Sequence, residues 1–160
     1  MKKIGVISDT HIPKAARDLP ESVYREFKNV DMILHAGDLV ELSVLEKLRS
    51  IAPTFAVSGN MDSHEVKAVL PHKDVIEVEG FKIGLIHGYG SASNLINTVS
   101  GEFGKVDAIV FGHSHSACSE KIKNKLYFNP GSPTDKIFSA CNTLGILEVG
   151  AEITGKIIRL

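Results

Sequence analysis

Ile4-Gly5-Val6-Ile7-Ser8-Asp9-Thr10-His11 sets the pattern for the whole chain: a short apolar run that stops at groups able to bind a metal. The pattern recurs four times. Met32-Ile33-Leu34 leads to Gly37-Asp38, and Phe55-Ala56-Val57 to Gly59-Asn60. Ile83-Gly84-Leu85-Ile86 leads to His87, and Ile109-Val110-Phe111 to Gly112-His113-Ser114-His115. One such ending carries no information. Five predict strands whose carboxyl ends converge on a single metal site. Ligands collect outside the carboxyl ends of strands in open α/β sheets, so the repetition gives a location as well as a chemistry.

Between these runs the first half alternates strand and helix signals. Helices are predicted over 20–28, where Val23 and Phe27 stand i, i+4 apart, over 39–48, where Leu42, Leu45 and Leu48 share a face, over 63–70 and over 92–99. Residues 74–79 and 81–86 read as a hairpin turned at Glu79-Gly80. After His115 the helix signal disappears. Strands are predicted near Lys121-Ile122, Leu126-Tyr127-Phe128, 144–149 and 156–158. Apolar strands with helical crossovers imply a parallel sheet covered on both faces. The strand-rich end then predicts a second sheet on the first, with helices outside: an α/β class, four-layer αββα sandwich in one domain, 1–160.

Composition excludes several classes. The 160 residues carry 43% hydrophobic and 23% charged side chains, ordinary for a folded domain. A net charge of -1 gives no footprint for nucleic acid or an anionic membrane. The opening apolar stretch is cut off by Ser8 and Asp9, too soon for a secretory core, and no run is long enough to span a bilayer. Cys118 and Cys141 lack CxxC spacing and read as partly buried thiols in a reducing cytoplasm, where the chain is expected to act. Homo-oligomerisation is left open.

Residues two apart on a strand point the same way, so Asp9 and His11 can face one ion, as can His113 and His115 if the chain stays extended past Phe111. Gly37, Gly59 and Gly112 each precede a candidate. The candidate metal ligands are Asp9, His11, Asp38, Asn60, His87, His113 and His115. Seven are too many for one ion with an open position and suit two ions, about 3.5–4 Å apart, sharing a carboxylate and a hydroxide. Two divalent ions, less two aspartates and the hydroxide, leave one positive charge for a phosphoryl oxygen. Imidazole and carboxylate without thiolate suit manganese, iron, nickel, cobalt or zinc over copper(I); ligand type does not choose among the five, and manganese is the ion expected. Each residue also has a structural competitor: Asp38 as a helix cap, Asn60 as a turn residue, His87 as a satisfied strand-end histidine. The ordered set outweighs them.

Asp9-x-His11, Gly37-Asp38, Gly59-Asn60-x-Asp62, His87-Gly88 and Gly112-His113-x-His115, in that order, resemble the five motifs of the calcineurin-like metallophosphoesterases. Ser8-Asp9-Thr10-His11 and Asn129-Pro130-Gly131-Ser132 resemble the small YfcE-like branch. The resemblance implies that Asp9, His11 and His115 hold one ion and Asn60, His87 and His113 the other, with Asp38 bridging. It also implies a pair of mixed sheets flanked by helices. Many relatives carry histidine where Met61 stands, and several carry a second histidine at Tyr89. Met61 cannot donate a proton, so phosphodiesters or activated aryl phosphates are expected over alkyl monoesters.

The expected function is therefore dinuclear metal-dependent phosphoester hydrolysis, by in-line attack of a metal-bridging hydroxide on a small phosphorylated substrate. The alternative is a non-catalytic protein-binding scaffold, since a retromer subunit resembles this fold. A metal-dependent amide hydrolase fits less well, because such enzymes often open with His-x-His. Loops near 12–18, 61–72 and 89–94 are expected to set specificity. Asp62 is read as a turn or helix-cap residue, with help to catalysis through water as the alternative, and His35 either as a support of the site or as a residue packed in its strand.

Overall fold

The computed structural model covers residues 1–160 and contains two five-stranded sheets. In the first, β1 (Lys2–Ile7), β2 (Met32–His35) and β3 (Thr54–Ala56) run parallel. In the second, β4 (Lys73–Val78) pairs antiparallel with β5 (Phe81–Ile86), which runs parallel to β6 (Ala108–Val110). The β4–β5 turn falls at Glu79 and Gly80, both left-handed, as predicted for a tight hairpin.

The strand-rich end divides, which the sequence did not predict. β7 (Cys118–Ile122) and β8 (Lys125–Asn129) complete the second sheet, ordered β4-β5-β6-β8-β7. The chain then returns, and β9 (Thr143–Val149) and β10 (Ile153–Arg159) extend the first sheet, ordered β10-β9-β1-β2-β3. β9 lies antiparallel to β1 and completes its other edge.

Strand alternation builds the layers. Ile4, Val6 and Leu34 point toward the second sheet and meet Ile83, Leu85, Val110 and Phe128 in a fully apolar centre. Ile7 and Ile33 point the other way, against α1 (Glu21–Phe27), α2 (Leu42–Arg49) and α3 (His64–Val69). Ile86 and Ile109 point outward onto α4 (Leu95–Ser100). Each such buried aliphatic side chain contributes roughly 1.5–3 kcal/mol, which makes register slips costly. The result is the predicted four-layer sandwich.

Two helices differ from expectation. α2 starts at Leu42 rather than Leu39, so Asp38 caps nothing. α4 is preceded by a 3₁₀ turn, Ala92–Asn94. α3 begins as predicted, with Ser63 Oγ accepting from the Val66 N–H. Cys118 is half-buried, but Cys141 is exposed because it lies on the connection between β8 and β9; both thiols are free. No helix is long and apolar enough to cross a membrane.

Candidate metal centre

All seven predicted residues follow strand ends: Asp9 and His11 after β1, Asp38 after β2, Asn60 after β3, His87 at the end of β5, His113 and His115 after β6. The i, i+2 strand argument, however, is wrong in mechanism. β1 stops at Ile7 and β6 at Val110, and Asp9, His11, Asp38, His113 and His115 all have left-handed backbone, φ between 45° and 69°. Such a conformation costs on the order of 1–3 kcal/mol per non-glycine residue and persists only when its surroundings impose it. Here hydrogen bonds between the loops do so. Asp9 N–H donates to Gly37 O, His11 N–H to Asp38 O and Gly112 N–H to His87 O, each at 3.0 Å. Glycine is required beside the ligands for space: a Cβ on Gly59 would collide with Asp38, and one on Gly112 with Ser8 and Asp9.

The side chains form two overlapping triads. Asp9, His11 and His115 make one; Asp9, Asp38 and His87 make the other. His115 Nε2 is 3.3 Å from Asp9 Oδ1, and Asp38 Oδ2 lies between His11 Nε2 at 3.4 Å and His87 Nε2 at 3.1 Å. Asn60 Oδ1 is also 3.1 Å from His87 Nε2. His113 stands outside both triads, its ring centroid 5.3 Å from that of His87.

Hydrogen bonds set the free nitrogens. His87 Nδ1–H donates to Ala36 O at 2.7 Å, His115 Nδ1–H to Asp135 Oδ2 at 2.9 Å and His113 Nε2–H to Gly90 O at 3.0 Å. A neutral His87 or His115 therefore turns a bare Nε2 toward oxygens, and His113 keeps Nδ1. Asp9 Oδ1 and His11 Nε2 are buried and make no hydrogen bond of good geometry. Lone pairs facing lone pairs, and buried polar atoms without partners, are destabilising unless a proton or cation lies between them. The donor set fits divalent transition metals.

Without a cation, protons take that place. His87 is pushed up to about 9: burial opposes its charge, but the hydrogen bond to Asp38 and the charges of Asp9 and Asp38 prevail. His115 also reaches about 9, through Asp9 first, against burial, and with help from Asp135. Asp9 is held far below the carboxylate range; burial works against its charge, and the imidazoles of His11, His115 and His87 outweigh burial.

Supporting groups surround the donors. Asp62 is buried and accepts from the N–H groups of Asp38, Val40 and Gly59, so it shapes the loop bearing Asp38, the structural role expected of it. His35 is fully buried, accepting from Gly37 N–H through Nδ1 and donating to Thr10 Oγ1; burial pulls it down to about 4. Asn129 ties Gly112 O to Ser114 Oγ, and Ser132 Oγ donates to Asp9 O. The sequence did not disclose Asp135. It stands among turn residues after Asn129-Pro130-Gly131-Ser132, and nothing local marks its partner twenty positions upstream.

A cavity of about 520 Å³ opens over the donors, lined also by Lys14, Ala15, Met61, Ala92, Ile137 and Phe138. Met61 thus stands beside the site, its N–H donating to Asp38 Oδ1. Tyr89 does not line the cavity; its hydroxyl donates to Glu102 at 2.7 Å. Ile137 and Phe138 lie outside the loops expected to set specificity.

A family model described as the calcineurin-like phosphoesterase superfamily domain matches residues 1–152, and the chain belongs to that superfamily. It is 38% identical over 160 residues to a probable metallophosphoesterase of Methanothermobacter thermautotrophicus, covering 98% of this chain and 91% of that one. A phosphodiesterase of Methanocaldococcus jannaschii is 27% identical over 160 residues, covering 91% and 92%. The vacuolar protein sorting 29 structure from Cryptosporidium parvum superposes with a TM-score of 0.78 at 22% identity, covering 99% of this chain and 97% of that one. That last likeness is one of fold.

Proposed function

We propose that the chain is a metal-dependent phosphoesterase acting on phosphodiester or activated aryl phosphate bonds of a small substrate, with two divalent ions, manganese favoured. The observation that carries this reading is the pair of donor triads sharing Asp9, with Asp9 Oδ1 and His11 Nε2 buried and making no hydrogen bond of good geometry. Asp9, His11 and His115 would hold one ion and Asn60, His87 and His113 the other; Asp38 would reach both, and Asp9, a member of both triads, also lies within reach of the second. His113 contributes through the Nδ1 that its bond to Gly90 leaves free.

Bound ions would supply Lewis-acid charge to activate water and to offset the negative charge developing on the phosphoryl oxygens. The protein fixes the donors in advance: Ala36 O, Gly90 O and Asp135 each hold one imidazole at its second nitrogen. Met61, beside Asp38, offers no proton to a leaving group. Bonds whose alcohol departs without much protonation are therefore preferred. The chain is further read as one domain working in the cytoplasm. A non-catalytic scaffold shares this architecture, and fold alone does not separate the two. The complete donor set favours the enzyme.

Hydrolysis of bis(4-nitrophenyl) phosphate with Mn²⁺, before and after chelation, tests the proposal, with 4-nitrophenyl acetate as the carboxyl-ester control. Asp38→Ala and His113→Ala are expected to lose metal and turnover together while circular dichroism is unchanged. Metal-dependent turnover surviving in both variants overturns the site.

A further inference from the structure

We infer that Ile137 and Phe138 form a subsite for a flat aromatic group esterified to the phosphate of the substrate. The inference rests on the phosphodiesterase reading and adds a substrate class to it. Ile137 is 82% exposed and Phe138 74%, the two most exposed large apolar side chains after Met1. Single exposed apolar residues are ordinary and need no cause. These two are neighbours, and both line the cavity that contains Asp9, His11 and His115.

Their position is held by the site itself. Asp135 accepts from the N–H groups of Ile137 at 2.8 Å and Phe138 at 3.1 Å, while its other oxygen holds His115. Asn142 Nδ2 donates to Asp135 O at 2.7 Å and closes the turn behind them. The Phe138 and His115 rings pack T-shaped, centroids 5.8 Å apart at 82°. Phe138 is nevertheless 74% exposed, so its ring still offers surface on which an aromatic group can pack in an offset stack. Met61, Ala92 and Ala15 add apolar lining. Besides the imidazoles, Lys14 is the one basic side chain lining the cavity, and it suits a ligand that is anionic at phosphorus and apolar beyond. At about 520 Å³ the cavity falls in the range, roughly 300–1,000 Å³, of sites for molecules larger than a phosphoryl group.

Calorimetry on the Mn²⁺-loaded protein tests this, with dimethyl phosphate, diphenyl phosphate and the methyl ester of thymidine 5′-phosphate as probes. Diphenyl phosphate is expected to bind about tenfold tighter than dimethyl phosphate, or more, from burial of a ring. Comparison with the thymidine ester distinguishes a nucleobase from a simple aryl group as the preferred ring. In Ile137→Ser with Phe138→Ala the diphenyl-to-dimethyl ratio should approach one. The ratio is read rather than either affinity, so any disturbance of His115 through Phe138 cancels. Ile137→Ser alone, expected to lower the ratio about threefold, serves if the double variant misfolds. A ratio near one in the unaltered protein, or one unchanged by the substitutions, overturns the subsite. If the ratio holds but bis(4-nitrophenyl) phosphate is not turned over, the subsite stands and the esterase reading falls. Turnover with a ratio of one gives the opposite result.

Discussion

The two sheets bring different chemistry to the seam between them. The first sheet supplies every candidate oxygen donor, Asp9, Asp38 and Asn60, with His11 as its one candidate imidazole. The second supplies imidazoles only, His87, His113 and His115. Oxygen donors Asp9 and Asp38 are buried and braced by backbone N–H groups, whereas His113 and His115 are half-buried. Fixed negative charge thus belongs to one side, and groups that exchange protons for metal ions mostly to the other. A site divided in this way is complete only when the core between the sheets sets their register.

Asp9→Asn should break the comparison most severely. Asp9 belongs to both triads, so both ions are expected to be lost, with turnover falling by more than the roughly 10–100-fold typical for partners of ligands. Elemental analysis showing one ion retained would mean that the sides are less interdependent than the geometry indicates. On the imidazole side, Asp135→Asn should be milder, weakening the ion beside His115 by roughly 10–100-fold and leaving its neighbour in place. Equal loss of both ions would contradict the division.

Met61→His places an imidazole on the oxygen side. It should raise monoester relative to diester hydrolysis by about tenfold, less than the roughly 10²–10⁴ of a well-positioned acid. An unchanged or reversed preference removes the account of Met61. The smallest effect concerns pH. In the ion-free protein His87 and His115 are raised from 6.5 to about 9. Their contribution to stability is complete below about 6.5 and is lost as pH rises through 9. The melting temperature of chelated protein should therefore fall by roughly 5 °C between pH 6.5 and 9.5. Manganese-loaded protein should not follow, because the ions require unprotonated rings. Parallel curves for the two samples would show that protons do not substitute for ions.

Much of this was legible in the chain. Donor types and apolar runs occur within a few residues of each other, so Asp9, Asp38 and His87 could be named with their strands. The hairpin at Glu79-Gly80 was visible because a glycine between two strand-like runs marks such a turn. Which sheet β9 would join was not legible, since its apolar residues fit either layer and only the free edge of β1 decides. Nor was the left-handed backbone at His113 and His115, because alternation alone cannot show that β6 ends at Val110. Asp135, Ile137 and Phe138 escaped for a similar reason. Their importance comes from contacts with a loop twenty or more residues away in sequence or with the open cavity, and a turn-rich stretch reads the same without them.

The passage from β8 back to β9 has a practical consequence. Lys136 is exposed on it, and a single protease cut after that residue would divide the molecule into 1–136 and 137–160. The shorter piece is one β-hairpin, β9 with β10, whose place is the vacant flank of β1. The longer piece keeps all seven candidate donors but loses Ile137 and Phe138 from the cavity. Re-docking of the hairpin would bring back that lining together with Leu147 and Val149 of one core layer and Leu144 of the other.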